Sequence, residues 1–322
     1  MKKVHQSSSS VLAFALCSLL FFTACDNDDD NPPASNTITD IVVASADFNT
    51  LEAAVLKANL QTTLSGTGPF TVFAPDDAAF TASGITTTVL NTLTQADVQK
   101  LLLYHTIPAK VLAADVPSGP NAKVVTANGD SVFVTRNANS VFVNGVRVTQ
   151  ADINADNGVV HRIGRVLNVP VGNTVQTAQA SVTVLDSLVK AVLRANNAPG
   201  GDPTLIATLS TARITVFAPT NAAFIQLLGA LGVSKIDDIP VATLLAVLRY
   251  HVVGGRAFSS DLANGNLAML AGGNTSINLT NGTGGGPSIT GNGNAGNRSN
   301  ISTTNIVSTN GVVHLIDRVL LP

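Results

Sequence analysis

The chain has 322 residues, a formal net charge of −2 and only 12% charged residues, about half of the ~25% usual for a soluble domain. That length accommodates two domains of ordinary size, and the lack of a basic excess excludes a protein built to neutralise a phosphate backbone, so no nucleic acid partner is expected. Asn, Thr, Ser and Gly take the place of the missing charges, leaving a neutral polar surface suited to other proteins or to neutral polymers.

Residues 1–24 read as a signal peptide. Lys2 and Lys3 form a basic start, Val11 to Phe22 is an apolar run interrupted by Ser18, and Thr23-Ala24 supplies small residues before a cleavage point. The run is too short for a spanning helix, which needs about 20 residues. Phe22-Thr23-Ala24-Cys25 resembles a bacterial lipobox, with Phe22 where Leu is usual, and implies a lipid on Cys25 that anchors the chain to a membrane. The acidic run Asp26-Asn27-Asp28-Asp29-Asp30 then resembles the tether of outer-membrane lipoproteins exposed at the cell surface; read from the residues alone it is a solvated charge run. Residues 25–36 form the lipidated Cys and an acidic, Pro-containing linker. Cys17 lies in the leader and Cys25 at the acylation point, so the folded part contains no internal disulfide.

A first folded unit is expected over 37–170. Thr37 to Leu60 reads as mainly helical, with Leu51, Ala54, Val55 and Ala58 forming a core stripe at helical spacing. Thr71-Val72-Phe73-Ala74 alternates as a short strand, Pro75 stops it, and Asp76 caps the helical turn that follows. Leu90–Leu93 and Asp97–Tyr104 read as short helices. From Lys110 the pattern becomes strand-like: 123–126, 131–135, 141–143 and 146–149 are separated by Asn- and Gly-rich turns, with Asn144-Gly145 the strongest hairpin signal. Asn157-Gly158 turns the chain into a last strand over Val159–Leu167.

The same order returns over 174–322. Thr215-Val216-Phe217-Ala218-Pro219-Thr220-Asn221-Ala222-Ala223-Phe224 repeats Thr71–Phe80 at eight of ten positions, with Thr220 as the capping residue. Tyr250-His251 repeats Tyr104-His105, and Asn310-Gly311-Val312-Val313-His314 repeats Asn157–His161. A period of roughly 144 residues is domain duplication, because solenoid units are about 20–50 residues. Val182–Arg194 and Val241–His251 read as helices. Glycine and asparagine accumulate at 281–287 and 291–300, a flexible loop that serves either as a recognition tip or as a neutral insertion. Only Val171-Gly172-Asn173 separates the units, so a fairly fixed mutual orientation is expected.

The folded part has four histidines, two per unit at equivalent positions: His105, His161, His251 and His314. Zinc needs four ligands, or three plus water; no cysteine is available and Asp317 faces Gly164 in the other copy. Histidines hydrogen-bonded to backbone in the core are the better reading. The Asp76-Asp77 pair becomes Thr220-Asn221, so capping is the shared role; no Gly-x-Ser-x-Gly elbow or complete P-loop occurs. No catalytic residue, metal or cofactor is expected.

The three ordered blocks, each present twice, resemble the fasciclin domain. The resemblance implies an α+β fold, two tandem fasciclin-like domains, each a β-wedge with a layer of helices. It also implies non-catalytic adhesion to extracellular protein or matrix. In animal members the region around Tyr-His is associated with integrin binding, which implies ligand contact at Tyr104, His105, Tyr250 and His251. Thr71, Asp76, His161, Thr215, Thr220 and His314 are expected to be structural. The alternative is a cell-envelope polysaccharide-binding accessory protein, although such sites usually present exposed aromatic rings and the chain has no Trp and two Tyr. A hydrolase is the third reading.

Overall fold

The computed structural model describes residues 35–138 and 140–322. Cys25 and the leader lie outside them.

The first repeat runs α1 (Ile38–Ala44), α2 (Asn49–Ala58), α3 (Gln61–Ser65), β1 (Phe70–Pro75), α4 (Asp77–Ala82), α5 (Thr87–Thr92), α6 (Gln95–Tyr104), β2 (Thr106–Ile107), β3 (Gly119–Val125), β4 (Ser131–Asn137), β5 (Ser140–Val143), β6 (Val146–Ala155) and β7 (Gly158–Ile163). Helices therefore precede an antiparallel run of strands, an α+β arrangement. The helical stretch expected over Thr37–Leu60 is broken at residues 45–48. Ser45 turns extended there, and the Asp47 carbonyl accepts a hydrogen bond from Asp77 N at 2.9 Å. Capping sets the helix starts: Thr37 with Asp40, and Thr94 with Asp97, form reciprocal boxes.

The second repeat runs α7 (Thr174–Ala180), α8 (Val182–Asn197), α9 (Leu205–Thr211), β8 (Ile214–Pro219), α10 (Asn221–Leu231), α11 (Val241–Arg249), β9 (Val252–Gly254), β10 (Gly265–Ala268), β11 (Asn274–Asn278), β12 (Ser288–Gly291), β13 (Ser299–Val307) and β14 (Gly311–Ile316). Helix α8 buries Leu185, Leu188, Ala191 and Ala195 along one stripe.

Both sheets have seven strands in the same order. The first is β2-β1-β7-β6-β5-β4-β3 and the second β9-β8-β14-β13-β12-β11-β10. Consecutive hairpins build most of each sheet, but the first and last strands of each repeat meet as a central parallel pair: Thr71 lies opposite Val159, and Thr215 opposite Val312. Alternation then divides the core. Val72 and Ala74 pack with the helices, while Phe73 joins the cluster built on Tyr104, Val132 and Val134. The second repeat divides the same way around Val216 and Phe217.

Two sequence expectations are corrected. The last strand of the first repeat ends at Ile163, short of Leu167, because Leu167 N donates to His105 Nε2 at 2.8 Å and leaves the ladder. The Gly/Asn-rich stretch at 281–300 is a built corner: it contains β12, and buried Asn294 accepts from Leu321 N at 2.9 Å and donates to Val319 O at 2.9 Å. Asp317, which has only Gly164 as counterpart, accepts from Asn300 N and Nδ2 at 2.7 and 2.6 Å. The acid is a device for holding the added corner.

The two repeats touch directly. Phe133 of β4 packs on Phe258 with ring centroids 6.1 Å apart, and Arg256 lies over the Phe133 ring at 3.7 Å. Asn121 Nδ2 donates to Arg256 O at 2.7 Å and Asp261 Oδ2 at 3.0 Å. The Asn144-Gly145 turn abuts the same place: Gly145 has φ +72°, and a Cβ there would sit 2.7 Å from Phe258 Cβ. Phe258→Ala removes a fully buried ring and is expected to cost about 3–5 kcal/mol. It should also raise the radius of gyration seen by small-angle scattering; an unchanged scattering curve would show that the orientation of the repeats does not depend on this cluster.

Candidate functional site

Two of the three duplicated sequence blocks meet in each repeat on one hydrogen-bonded chain. Thr71, fully buried in β1, donates Oγ1–H to Ala109 O at 2.6 Å and accepts from Val111 N at 2.9 Å. Val111 O meets His161 Nε2 at 2.8 Å, and His161 Nδ1 accepts from Asp152 N at 3.1 Å. The second repeat reproduces each link. Thr215 Oγ1 donates to Gly255 O and accepts from Ala257 N, Ala257 O meets His314 Nε2 at 2.9 Å, and Asn305 N donates to His314 Nδ1 at 3.3 Å.

Asp152 and Asn305 have φ of +57° and +65° and sit where β6 and β13 change register. An unpaired N–H at a bulge needs a partner. The histidine provides it, so its Nδ1 must be unprotonated and Nε2 must carry the hydrogen. The ring also packs on the neighbouring strand: His161 lies tilted against Phe73 and His314 stacks on Phe217, at centroid distances of 5.7 and 5.4 Å.

His105 and His251 use the opposite tautomer. Their Nδ1 atoms lie 2.8 and 2.7 Å from Leu101 O and Val247 O, and their Nε2 atoms accept from Leu167 N and Leu320 N. Each thus ties the end of a helix to the segment that closes its repeat. Tyr104 and Tyr250 are equally interior. Tyr104 OH donates to Ser131 O at 3.1 Å and accepts from Asn144 Nδ2, while Tyr250 OH donates to Asn274 O. Burial raises the Tyr104 phenol above its usual 10.

These contacts correct the expected ligand contact at Tyr104, His105, Tyr250 and His251. None of the four side chains is more than 2% exposed, and their polar atoms are committed inside the fold. Asp76 and Thr220 do cap the helices after the corner, accepting from Ala79 N at 2.7 Å and Ala223 N at 3.3 Å. Asp76 also faces Arg162 Nε at 3.3 Å, and Arg162 pairs with Asp47 as well.

The asparagine of Asn-Gly-Val-Val-His, which local sequence marks only as a turn residue, is a functional part of this joint that sequence reasoning misses. Asn157 Oδ1 accepts from Ile38 N at 3.0 Å and its Nδ2 donates to Leu64 O and Gly66 O at 2.7 and 2.8 Å. Asn310 makes the same three bonds to Thr174 N, Leu209 O and Ala212 O. The adjacent glycine is required by close approach: a Cβ on Gly158 or Gly311 would lie 2.1 or 2.2 Å from the carbonyl oxygen of Phe70 or Ile214. The signal available in the sequence was the repetition of a polar residue with no partner of its own nearby.

Among the described residues no group of three or more His, Cys, Asp or Glu is placed to hold a metal ion, and no helix is long and apolar enough to cross a membrane. The family model for the fasciclin domain matches residues 46–170 and 201–322. Protein sll1483 of Synechocystis sp. is 38% identical over 137 residues, covering 42% of this chain and 74% of that protein. Human periostin is 30% identical over 269 residues, covering 82% of this chain; the chain spans only 30% of periostin's length. A solved FAS1 domain pair from the insect cell adhesion molecule Fasciclin I has 17% sequence identity and a TM-score of 0.41, covering 86% of this chain and 97% of that one.

Burial pushes His105, His251 and His314 down to about 4 from the ordinary 6.5. The unfolded chain takes up these protons near pH 6.5 and the folded one refuses them until about pH 4. Their stabilising contribution is therefore complete above pH 6.5 and is lost as the pH falls towards 4, by on the order of several kcal/mol in total. Urea unfolding from pH 7 to 4 should show this slope, and His251→Gln should make it shallower; an unaltered slope in that variant would contradict the assignment.

Proposed function

The chain belongs to the fasciclin domain family, and from that premise we propose that it is a non-catalytic adhesion protein that contacts extracellular protein or matrix through both repeats at once. The observation that carries this reading is the direct junction between repeats. The Phe133, Phe258, Arg256 and Asn121 contacts hold two copies of one module in a set relation. Two coupled modules convert weak contacts into avidity, by factors on the order of 10² to 10⁴ where both sites are engaged.

A non-catalytic role is supported by the commitment of the four histidines, whose ring nitrogens all face backbone partners. A general base must reach its substrate. The polysaccharide alternative loses its aromatic platform, because both tyrosines are interior.

Since the Tyr-His side chains are buried, the contact surface belongs to the outward faces of the helices that precede them. On α6 these are Gln95, Gln99 and Lys100, and on α11 Ala242, Thr243 and Ala246, all exposed. The helices then position the surface and the Tyr-His pairs anchor the helices. At the amino-terminal side, a lipid on Cys25 would tether the chain to the outer membrane with its repeats facing outward.

A soluble form beginning at Asp26 should bind a protein on an array of extracellular matrix proteins and polysaccharides. The combined change Lys100→Glu and Ala246→Glu should weaken that binding at least tenfold without altering thermal unfolding. Binding retained in full by one isolated repeat would overturn the bivalent reading, and binding to glycans alone would overturn the protein-ligand one. Cys25→Ser should move the protein from the membrane fraction to the soluble fraction; a variant that still sediments with membrane is not held by a lipid on that residue.

A further inference from the structure

The second repeat contains an apolar cavity of about 250 Å³ between α7, α8, α9 and the strands β8 and β14. Its walls include Ala178, Leu188, Val192, Leu209, Val216 and Leu248. At the rim stand Leu193 and Leu270, which are 40% and 56% exposed, beside Asp202 and Arg249. The equivalent place in the first repeat holds only about 10 Å³.

The equivalence follows from the asparagine that ties each helical layer to its sheet. Asn157 joins Ile38 N to Leu64 O, and Asn310 joins Thr174 N to Leu209 O. Ile38 therefore corresponds to Thr174, and one turn on, Val42 corresponds to Ala178. In the first repeat Ile38 and Val42 fill the space against Leu51, Val55 and Leu64. In the second, the same two positions carry the smaller Thr174 and Ala178. Helix α8 has 16 residues where α2 has 10, and residues 198–204 separate it from α9, where only Asn59 and Leu60 separate α2 from α3. The two repeats thus differ here both in the size of the side chains and in the length of the connection between their second and third helices.

The charged and the buried polar groups of the lining are already partnered. Arg249 Nη2 lies 2.6 Å from Asp202 Oδ2, so the charges at the rim cancel. His251 gives its nitrogens to Val247 O and Leu320 N, and Thr174 Oγ1 bonds to Asn310 and Ser308. No charge is left to recognise an anion or a cation, and apolar walls take apolar guests. Since a dry cavity of about 150 Å³ accepts benzene, this one has room for a larger hydrocarbon group.

We propose that the second repeat binds a neutral apolar small molecule, of the size of a medium-length hydrocarbon chain or two linked rings, in this cavity, and that the first repeat does not. Leu193 and Leu270 flank its entrance. The proposal does not rest on the adhesion reading, since the helix faces assigned to adhesion lie outside the cavity.

The test is fluorescence titration of the purified full chain with the neutral two-ring probe N-phenyl-1-naphthylamine, followed by displacement with 1-decanol or decanoate. Saturable uptake at one site per chain is expected, with 1-decanol displacing the probe at least tenfold more effectively than decanoate. Ala178→Phe, which fills the cavity from α7, should reduce affinity at least tenfold while leaving or raising the thermal midpoint. Leu270→Asp changes an exposed rim residue outside the packed core and should weaken uptake severalfold in a folded protein. Failure of the full chain to take up the probe would overturn the proposal, as would equal uptake by the wild type and both variants. Displacement by decanoate as strong as by 1-decanol would overturn the assignment of a neutral ligand.

Discussion

Each repeat depends on a buried threonine and a buried histidine that together satisfy backbone groups which no strand or helix can reach. The parallel pairing of the first and last strands forces the chain between them to leave the sheet and return, and its peptide groups arrive in the interior unpaired. Thr71 and Thr215 take one N–H and one C=O of that returning segment. His161 and His314 take the next carbonyl on one ring nitrogen and the bulge amide on the other. Leaving such groups unpaired costs about 1–3 kcal/mol each, so each of these pairings stabilises the arrangement. A protonated imidazole could not perform this role, because one ring nitrogen has to accept.

The same economy explains the Tyr-His and Asn-Gly-Val-Val-His blocks. His105 and His251 fasten the C-terminal ends of α6 and α11 to Leu167 and Leu320, and the tyrosine beside each reaches across to the hairpins. Asn157 and Asn310 clamp the first and third helices of their repeats onto the opening of the last strand. The short motifs that appear as separate islands in the sequence are three sides of one joint between the helical layer and the sheet. A partner that binds the outer surface of α6 or α11 would therefore act on a helix held rigidly from within.

Against this common frame the repeats differ in three places. Around Phe133 and Phe258 the surfaces diverge to make a junction, with the Arg256 guanidinium over an aromatic face and its basicity lowered to about 10 by burial. In the helical layer the divergence opens a cavity on one side and fills it on the other. In the second sheet, Asp317 and Asn294 hold a corner that the first repeat lacks. Duplication supplied two equal joints, and the interior and surface around them changed with the joints intact.

The sequence by itself determined the duplication, the α+β class, the strand-to-helix corner with its Asp76 and Thr220 caps, and the hairpin at Asn144-Gly145, because each rests on local periodicity, capping or turn chemistry. It also showed that His161 and His314 belong to the core, since the acids around them do not repeat. The tertiary structure decided what depends on partners distant in sequence. The central parallel strand pair, the burial of Tyr104 and Tyr250, the three bonds of Asn157, and the ordered corner around Asn294 all join segments roughly 25 to 120 residues apart. The cavity is the clearest case: Ala178 and Thr174 are ordinary helix residues, and only the packing of α7 against α8, α9 and the sheet turns their small size into a space.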